Sequence, residues 1–274
     1  MKNKIKEYIK RKVPARLLEF FSYKAVTITK IPRKGSIVSD LFILRTEGGW
    51  ETYFEFLQFD SLLNPKSQIT SINVIFCFYC KNGKFLMEKE ISIPAKIKAT
   101  INVNKIASEF ELKYDCLFAI FHPHKKYWIN KYGSFIAERG YIGYSNPKKG
   151  SIRGFVHGNH DAIALSKKRR FQLLGNYSFF KKQYHLQHML ESNFTYELFL
   201  VNPSSSNQTA TIIEISDNLS KKTRAIIPAG GMYKFLKCVD KKKSNCNIII
   251  ETKLYLARPV VFKIMSTSFD VFHG

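Results

Sequence analysis

Residues 70–91 read TSINVIFCFYCKNGKFLMEKEI, and this stretch decides the fold class. An apolar run over residues 70–79 is followed by Asn82-Gly83 and then by a second strand-like run over residues 84–91. Asn-Gly suits the positive backbone angles of a two-residue hairpin turn. We therefore predict two antiparallel strands that are joined at this turn.

Short strand-like runs continue on both sides of this hairpin. Turn signals such as Glu47-Gly48-Gly49, Asn202-Pro203 and Gly230-Gly231 separate them. The predicted strands are residues 37–44, 51–59, 70–79, 84–91, 96–103, 116–121 and 135–144, and then 196–201, 209–215, 223–227, 232–238, 247–256 and 260–265. Short strands at this spacing are typical of antiparallel β-sandwiches.

The C-terminal half of the chain repeats features of the N-terminal half at an offset of about 134 residues. Ile93-Pro94-Ala95 recurs as Ile227-Pro228-Ala229, and the aromatic run 53–57 has a counterpart at 196–200, at a slightly larger offset. We therefore predict a mainly β protein with two tandem immunoglobulin-like sandwiches.

The 274 residues divide into four predicted parts. Residues 1–34 form a basic amphipathic helix and linker, and residues 35–147 form the first sandwich. Residues 148–183 form an irregular basic connecting segment, and residues 184–274 form the second sandwich.

The chain carries 44 basic and 21 acidic residues, which gives a formal net charge of +23. A charge of this size favours anionic partners such as phospholipid headgroups, nucleic acid or acidic glycans. A lysine-rich composition inherited from an AT-rich genome is the alternative explanation.

The N-terminal helix has an apolar stripe, Ile5, Tyr8, Ile9 and Val13, at spacings of three and four. Such a helix can lie in a membrane interface with its cations on lipid headgroups. The cations predicted to face the membrane are Lys6, Lys10, Arg11, Lys12 and Arg16. The alternative is a helix that packs on the first sandwich with its lysines in water.

No apolar stretch has the length of a signal peptide core or of a membrane-spanning helix. We therefore expect a cytoplasmic protein, placed at the inner face of the membrane if the N-terminal helix binds lipid.

A second candidate surface begins in the last strand of the first predicted sandwich and continues into the connecting segment. Arg supplies paired hydrogen-bond donors and Tyr supplies a flat face for a sugar or a base. The predicted ligand-binding residues are Arg139, Tyr141, Tyr144, Arg153, His157 and Asn159. The alternative is a closing strand whose glycines allow close packing.

Residues 156–161, VHGNHD, contain the densest polar cluster of the chain. His157, His160 and Asp161 could bind a transition metal together with His185 or His188. A helix over residues 184–189 would put the last two histidines on one face, whereas a strand would put them on opposite faces. The alternative is a turn capped by Asn159 and Asp161.

Gly158-Asn159-His160-Asp161 resembles one block of the calcineurin-like metallophosphoesterases. In that family the Asn and His of this block bind a dinuclear metal centre. The other motifs of the family (an upstream Asp-x-His, a Gly-Asp-x-x-Asp and a later Gly-His-x-His) are absent, and the strand-rich pattern contradicts its α/β fold. We treat the match as accidental and predict no cofactor.

The five cysteines have irregular spacing, which predicts free thiols rather than a disulfide framework. Cys77 and Cys80 lie three residues apart on a predicted strand, so their side chains point to opposite faces. No second Cys-x-x-Cys completes a zinc site.

The basic N-terminal helix, the Gly140–Tyr144 block and His157-Gly158-Asn159 together resemble bacterial proteins associated with surface-polysaccharide synthesis. With no complete catalytic motif, we expect a non-catalytic binding or scaffold protein that acts on an anionic lipid or glycan. A metal-dependent hydrolase and a non-specific nucleic-acid binder are the alternatives. The sequence leaves the oligomeric state open.

Overall fold

The structure is a computed structural model. It describes residues 24–27, 36–57, 70–94, 98–123, 140–150, 152–156, 164–165, 171–175, 177–202, 204, 206–216, 219–239, 245–254 and 259–274. Strands dominate these ranges, and they form four four-stranded antiparallel sheets and one small three-stranded sheet. The prediction of a mainly β fold is confirmed.

The small sheet consists of β1 (Lys24–Thr27), β10 (Ala164–Leu165) and β11 (Phe171–Gly175), in the order β1-β11-β10. Among the described residues, its strands pair only with one another and with no strand of either sandwich.

The described residues of the first sandwich form eight strands. They are β2 (Ser36–Leu44), β3 (Glu51–Leu57), β4 (Ser71–Tyr79), β5 (Phe85–Pro94), β6 (Lys98–Asn102), β7 (Cys116–Pro123), β8 (Gly140–Ser145) and β9 (Gly154–Val156). One sheet has the order β2-β7-β4-β5 and the other has the order β6-β3-β8-β9. A short helix, α1 (Val103–Ser108), follows β6, and the Asn102 side chain caps it by accepting a 3.1 Å hydrogen bond from the Lys105 amide.

The second sandwich, where the structure describes it, also has eight strands. They are β12 (Tyr177–His185), β13 (Thr195–Val201), β14 (Gln208–Ser216), β15 (Leu219–Ile227), β16 (Met232–Cys238), β17 (Asn247–Leu254), β18 (Val260–Ile264) and β19 (Phe269–His273). Its sheets have the orders β12-β17-β14-β15 and β16-β13-β18-β19.

The two sandwiches have the same topology. The sheet β2-β7-β4-β5 of the first sandwich corresponds, strand by strand, to β12-β17-β14-β15 of the second. The sheet β6-β3-β8-β9 corresponds in the same way to β16-β13-β18-β19. Ile93 and Pro94 end β5, and Ile227 ends the corresponding strand β15 just before Pro228. The sequence echo between the two halves therefore reflects a shared strand order.

The structure corrects the turn in the β4–β5 hairpin. The Cys80 amide donates to the Lys84 carbonyl at 2.9 Å, and the Gly83 amide donates to the Cys80 carbonyl at 2.8 Å. The loop therefore has three residues, and Gly83 is the one in the left-handed region, with φ of 79°. A tight turn followed by a left-handed glycine is a common alternative to the two-residue loop.

The segment 148–183, predicted as irregular, contains strands. Gly154–Val156 pairs with β8 in the first sandwich, and Tyr177–His185 pairs with β17 in the second. The nine residues of β12 escaped prediction because a register shift between Tyr177 and Lys182 breaks the alternation of apolar and polar side chains. The predicted N-terminal helix lies outside the described residues, and the predicted unit boundaries stay predictions.

One sheet of the second sandwich is buried on both faces. Leu198, Leu200 and Val261 face the core of their own sandwich. Phe199 and Phe262 face the other way and join the core of the first sandwich. The two sandwiches therefore share a continuous apolar interface, a relationship that the sequence left open.

A buried ionic network crosses this interface. Arg45, just after β2, is only 2% exposed, and its Nε lies 2.9 Å from Asp115 Oδ2. Its Nη1 lies 2.7 Å from Oε2 of Glu197 on β13, whose Oε1 lies 2.8 Å from Lys234 Nζ. We call Arg45, Asp115, Glu197 and Lys234 the interface ion network. It places carboxylates from both sandwiches within ion-pair distance of the buried guanidinium.

Two further contacts hold the sandwiches together. The Met232 amide donates to the Lys81 carbonyl at 2.8 Å, which joins the β15–β16 turn to the β4–β5 hairpin. Lys149 Nζ donates to the carbonyls of Met265 and Ser266 at 2.8 and 3.0 Å. Loops at one end of the first sandwich thus contact the second sandwich at several points.

We predict that Gly83→Ala destabilises the protein by about 1–3 kcal/mol through overpacking. A Cβ at Gly83 would lie 1.9 Å from the Ala229 carbonyl oxygen. Gly48→Ala is the matched control, because Gly48 also has a positive φ, of 69°, and its nearest neighbour is 3.9 Å away. Chemical denaturation of both variants measures the difference. Equal losses of stability in Gly83→Ala and Gly48→Ala would mean that the positive φ alone is responsible and that the close approach of Gly83 to Ala229 has no effect.

Candidate binding surface

The outer face of the sheet β6-β3-β8-β9 presents aromatic and charged side chains. Phe54 on β3 pairs with Ile142 on β8, and both are buried inside the first sandwich. Side chains alternate along a strand, so Tyr53, Tyr141 and their neighbours at every second position face outward. We call Glu51, Tyr53, Glu55, Tyr141, Arg153 and Phe155 the outer face.

Gly143 creates the space for the most exposed ring of the outer face. It lies directly opposite Tyr53 on one side and opposite Phe155 on the other. A Cβ at Gly143 would lie 2.6 Å from Cε1 of Phe155, so the absence of a side chain lets this ring cover the glycine. Phe155 stays 42% exposed and Tyr141 stays 38% exposed.

Arg153 stacks on Tyr53. Its guanidinium carbon lies 3.8 Å from the centre of the Tyr53 ring, which is a close cation–π contact. Arg153 is exposed, and no acidic side chain in the described part of the chain forms an ion pair with it. Stacking fixes the plane of the guanidinium and leaves its N–H edge available to a ligand.

Glu51 holds Tyr53 in place from the same strand. The Tyr53 hydroxyl donates to Glu51 Oε2 at 2.5 Å, and Ser145 Oγ donates to the same oxygen at 3.3 Å. The hydrogen bond to Glu51 and, second, burial raise the pKa of Tyr53 above its ordinary value. Tyr53 therefore stays a neutral hydrogen-bond donor at neutral pH, and Glu51 is occupied in orienting it.

Glu55 is also paired. Lys98, on the edge strand β6, places Nζ 2.7 Å from Glu55 Oε2. Lys98 is 55% exposed, so this pair contributes little to stability. This pair neutralises Glu55, whereas Glu51 keeps its charge and accepts hydrogen bonds from neutral hydroxyls. Among the described residues of the outer face, Arg153 is the cation without an ion-pair partner.

Two of the predicted ligand-binding residues lie on the outer face, and one does not. Tyr141 and Arg153 are exposed there. Tyr144 is fully buried, and its hydroxyl donates to the Ile43 carbonyl at 2.9 Å. The prediction that Tyr144 binds a ligand is corrected, because its hydroxyl lies in the protein core and is used there. Burial raises the pKa of Tyr144 well above its ordinary value. Arg139, His157 and Asn159 lie outside the described residues.

The predicted metal ligands are only partly described. His157, His160 and Asp161 lie outside the described residues. His185 ends β12 opposite Ile249, and His188 follows the strand with its ring 4.7 Å from that of Phe272. Within the described ranges, no three His, Cys, Asp or Glu side chains are close enough to hold a metal. The metal site stays a prediction.

The predicted membrane-facing residues, Lys6, Lys10, Arg11, Lys12 and Arg16, also lie outside the described residues. Where the structure describes the chain, no helix has the length and apolar character needed to cross a membrane.

Sequence reasoning missed part of the outer face. Glu51, Tyr53 and Glu55 were assigned no binding role, and Gly143 and Phe155 were not among the predicted ligand-binding residues. Alternation along the aromatic run 53–57 identifies Tyr53 as outward-facing once Phe54 and Phe56 are known to be buried. The pairing of β3 with β8, which brings Tyr53 close to Arg153, joins segments about 90 residues apart and leaves no local signal.

Comparison with known proteins gives few matches. No family model matches the chain, and no curated protein matches it. A β-glucuronidase from glycoside hydrolase family 2 aligns with 92% of this chain at a TM-score of 0.21 and 12% identity, over 25% of its own length. A putative β-galactosidase from Bacteroides fragilis aligns with 92% of this chain at a TM-score of 0.17 and 8% identity, over 34% of its length. The chain thus spans about a quarter to a third of these structures.

Proposed function

We propose that this protein is a non-catalytic binding protein for an acidic glycan, and that the outer face is its binding surface. The observation that carries the proposal is the Arg153 guanidinium, which stacks on Tyr53, has no ion-pair partner among the described residues and shares a sheet face with two exposed aromatic rings. The rings of Tyr141 and Phe155 offer flat apolar area for the C–H faces of sugar rings. Arg153 offers two parallel donors for a carboxylate.

The charge of the whole chain supports an anionic ligand. At +23, the protein attracts polyanions to its surface and raises their association rate. This attraction is general and is weakened by salt, whereas the contact with Arg153 is local. A glycan is favoured over a lipid surface because the described site is a flat sheet face that combines exposed rings with a fixed guanidinium.

We predict that Arg153→Gln weakens binding of a polyuronate, such as polygalacturonate, by about 10-fold or more. A hydrogen bond to a charged group contributes about 1.5–3 kcal/mol, and about 1.4 kcal/mol corresponds to a tenfold change in affinity. Isothermal titration calorimetry at physiological salt measures the effect. Lys222→Gln is the matched control, because Lys222 is an exposed cation on β15 of the second sandwich.

Equal weakening by Arg153→Gln and Lys222→Gln would contradict the proposal and would indicate non-specific attraction. Flotation with vesicles of acidic phospholipid tests the lipid alternative. Vesicle binding that excess polyuronate does not displace, together with no measurable polyuronate affinity, would favour a membrane partner instead.

A further inference from the structure

We propose that Cys80 and Cys116 are a redox-sensitive pair that forms a disulfide between the β4–β5 hairpin and β7. Strands β4 and β7 are antiparallel, and their last paired residues at this end are Tyr79 and Leu117. Continuing the register by one residue places Cys80 directly opposite Cys116. Directly opposed residues have their side chains on the same face of the sheet.

The backbone of Cys80 places this pair at the closer of the two antiparallel spacings. Its amide donates to the Lys84 carbonyl, and its carbonyl accepts from the Gly83 amide, so both groups are used on the hairpin side. Cys80 and Cys116 therefore form a non-hydrogen-bonded pair, for which the Cα atoms are about 4.5 Å apart. Disulfides span Cα distances of about 4.4–6.8 Å, so a bond requires little backbone movement.

The directions of the pKa shifts around Cys80 and Cys116 agree with the closeness of the two thiols. Burial, then the charge of Asp115 and then the neighbouring Cys80 raise the pKa of the Cys116 thiol well above its ordinary value. Tyr114 responds to both cysteines, since its pKa is raised by burial and then by Cys116 and Cys80. Cys116 is fully buried, whereas Cys80 is half-buried, so Cys80 is the thiol that meets an oxidant from solution.

The step balances with a small-molecule disulfide such as oxidised glutathione. Cys80 gives its proton to solvent, its thiolate attacks one sulfur of the oxidant, and one glutathione leaves as a thiolate that takes up a proton from solvent. The Cys116 sulfur then attacks the Cys80 sulfur, and the Cys116 proton passes to the second glutathione, which leaves as a thiol. Two protein thiols are oxidised to one disulfide, and one oxidant disulfide is reduced to two glutathione thiols.

The other cysteines lack this geometry. Cys77 lies opposite Ala119 on β7, and its position in β4 puts it on the other face from Cys80. Cys238 and Cys246 belong to the second sandwich, where the former is exposed and the latter is buried. The described cysteines therefore contain one opposed pair, and oxidation has a single expected product.

The disulfide would act at the interface between the sandwiches. Lys81, next to Cys80, accepts the hydrogen bond from Met232, and Asp115, next to Cys116, binds Arg45 of the interface ion network. Closing the loop between residues 80 and 116 restricts the unfolded chain, so the oxidised protein should be the more stable form.

The test uses the full chain with Cys238→Ser, which removes the exposed thiol. After incubation with oxidised glutathione, we expect a mass loss of two hydrogen atoms, a Cys80–Cys116 linked peptide on non-reducing mapping and a Tm raised by about 5–10 °C. Dithiothreitol should reverse all three changes. Adding Cys80→Ser should abolish them, whereas adding Cys77→Ser should leave the linked peptide in place. Recovery of Cys80 as a stable glutathione adduct, or of both residues as free thiols, would overturn the proposal.

Discussion

Arg45→Ala is expected to lower the free energy of unfolding by about 3–5 kcal/mol. The substitution leaves the carboxylates of Asp115 and Glu197 in a buried site without their shared cation. The guanidinium carbon also lies 4.6–5.0 Å from the ring centres of Trp50, Phe199 and Phe262, so the truncation opens a cavity among aromatic rings. Urea denaturation followed by circular dichroism measures the loss.

Lys89→Ala is the matched control for Arg45→Ala. Lys89 pairs with Glu109 at 2.7 Å, but both side chains are substantially exposed, so we expect a loss of about 0–1 kcal/mol. A second comparison combines Arg45→Met with Asp115→Asn and Glu197→Gln. This triple variant removes the buried charges of Arg45, Asp115 and Glu197 together, so it should recover much of the stability that Arg45→Ala loses. A loss for Arg45→Ala no larger than that for Lys89→Ala would contradict the buried network.

Phe262→Ala is expected to destabilise the protein by about 3–5 kcal/mol. The Phe262 ring is fully buried, with ring centres 5.1 Å from Trp50, 4.8 Å from Tyr144 and 5.5 Å from Phe199. It extends from the second sandwich into the core of the first. Its removal should weaken the interface more than the core of either sandwich. We therefore expect calorimetry to show one transition for the wild type and two for Phe262→Ala.

Leu198→Ala is the control for this effect. Leu198 is equally buried but faces the core of the second sandwich. We expect a loss of about 2–5 kcal/mol in the free energy of unfolding, with one calorimetric transition rather than the two expected for Phe262→Ala. Identical calorimetric behaviour of the two variants would show that the sandwiches do not depend on their shared apolar surface.

The sequence predicted the strands whose neighbours are local. The runs at 70–79 and 84–91 became β4 and β5, because their alternation and their turn are both contained in one short stretch. The helix α1 and the strand β12 were missed, the first because six residues are too few for a periodic signal and the second because of its register shift. The tandem repeat was predicted from a few matching residues, and the shared strand order supports it.

Contacts between distant segments could not be predicted from one sequence. Arg45 and Glu197 are 152 positions apart, and nothing near either residue marks it as buried. Cys80 was considered with Cys77 because they are close in the chain, whereas the partner that faces it is Cys116. Tyr144 was assigned to the surface because it follows a glycine, as the exposed Tyr141 does, and this local similarity gives no information on burial.

The proposal that the outer face binds a sugar carboxylate has one most direct test. Oligogalacturonate and its methyl ester offer the same sugar rings, but the ester lacks the charged carboxylates. The affinity of the full chain for both should be measured by calorimetry at physiological salt. Our account predicts that the wild type prefers the acid by about 10-fold or more and that Arg153→Gln loses most of this preference. Equal affinity of the wild type for acid and ester, or an undiminished preference in Arg153→Gln, would contradict it.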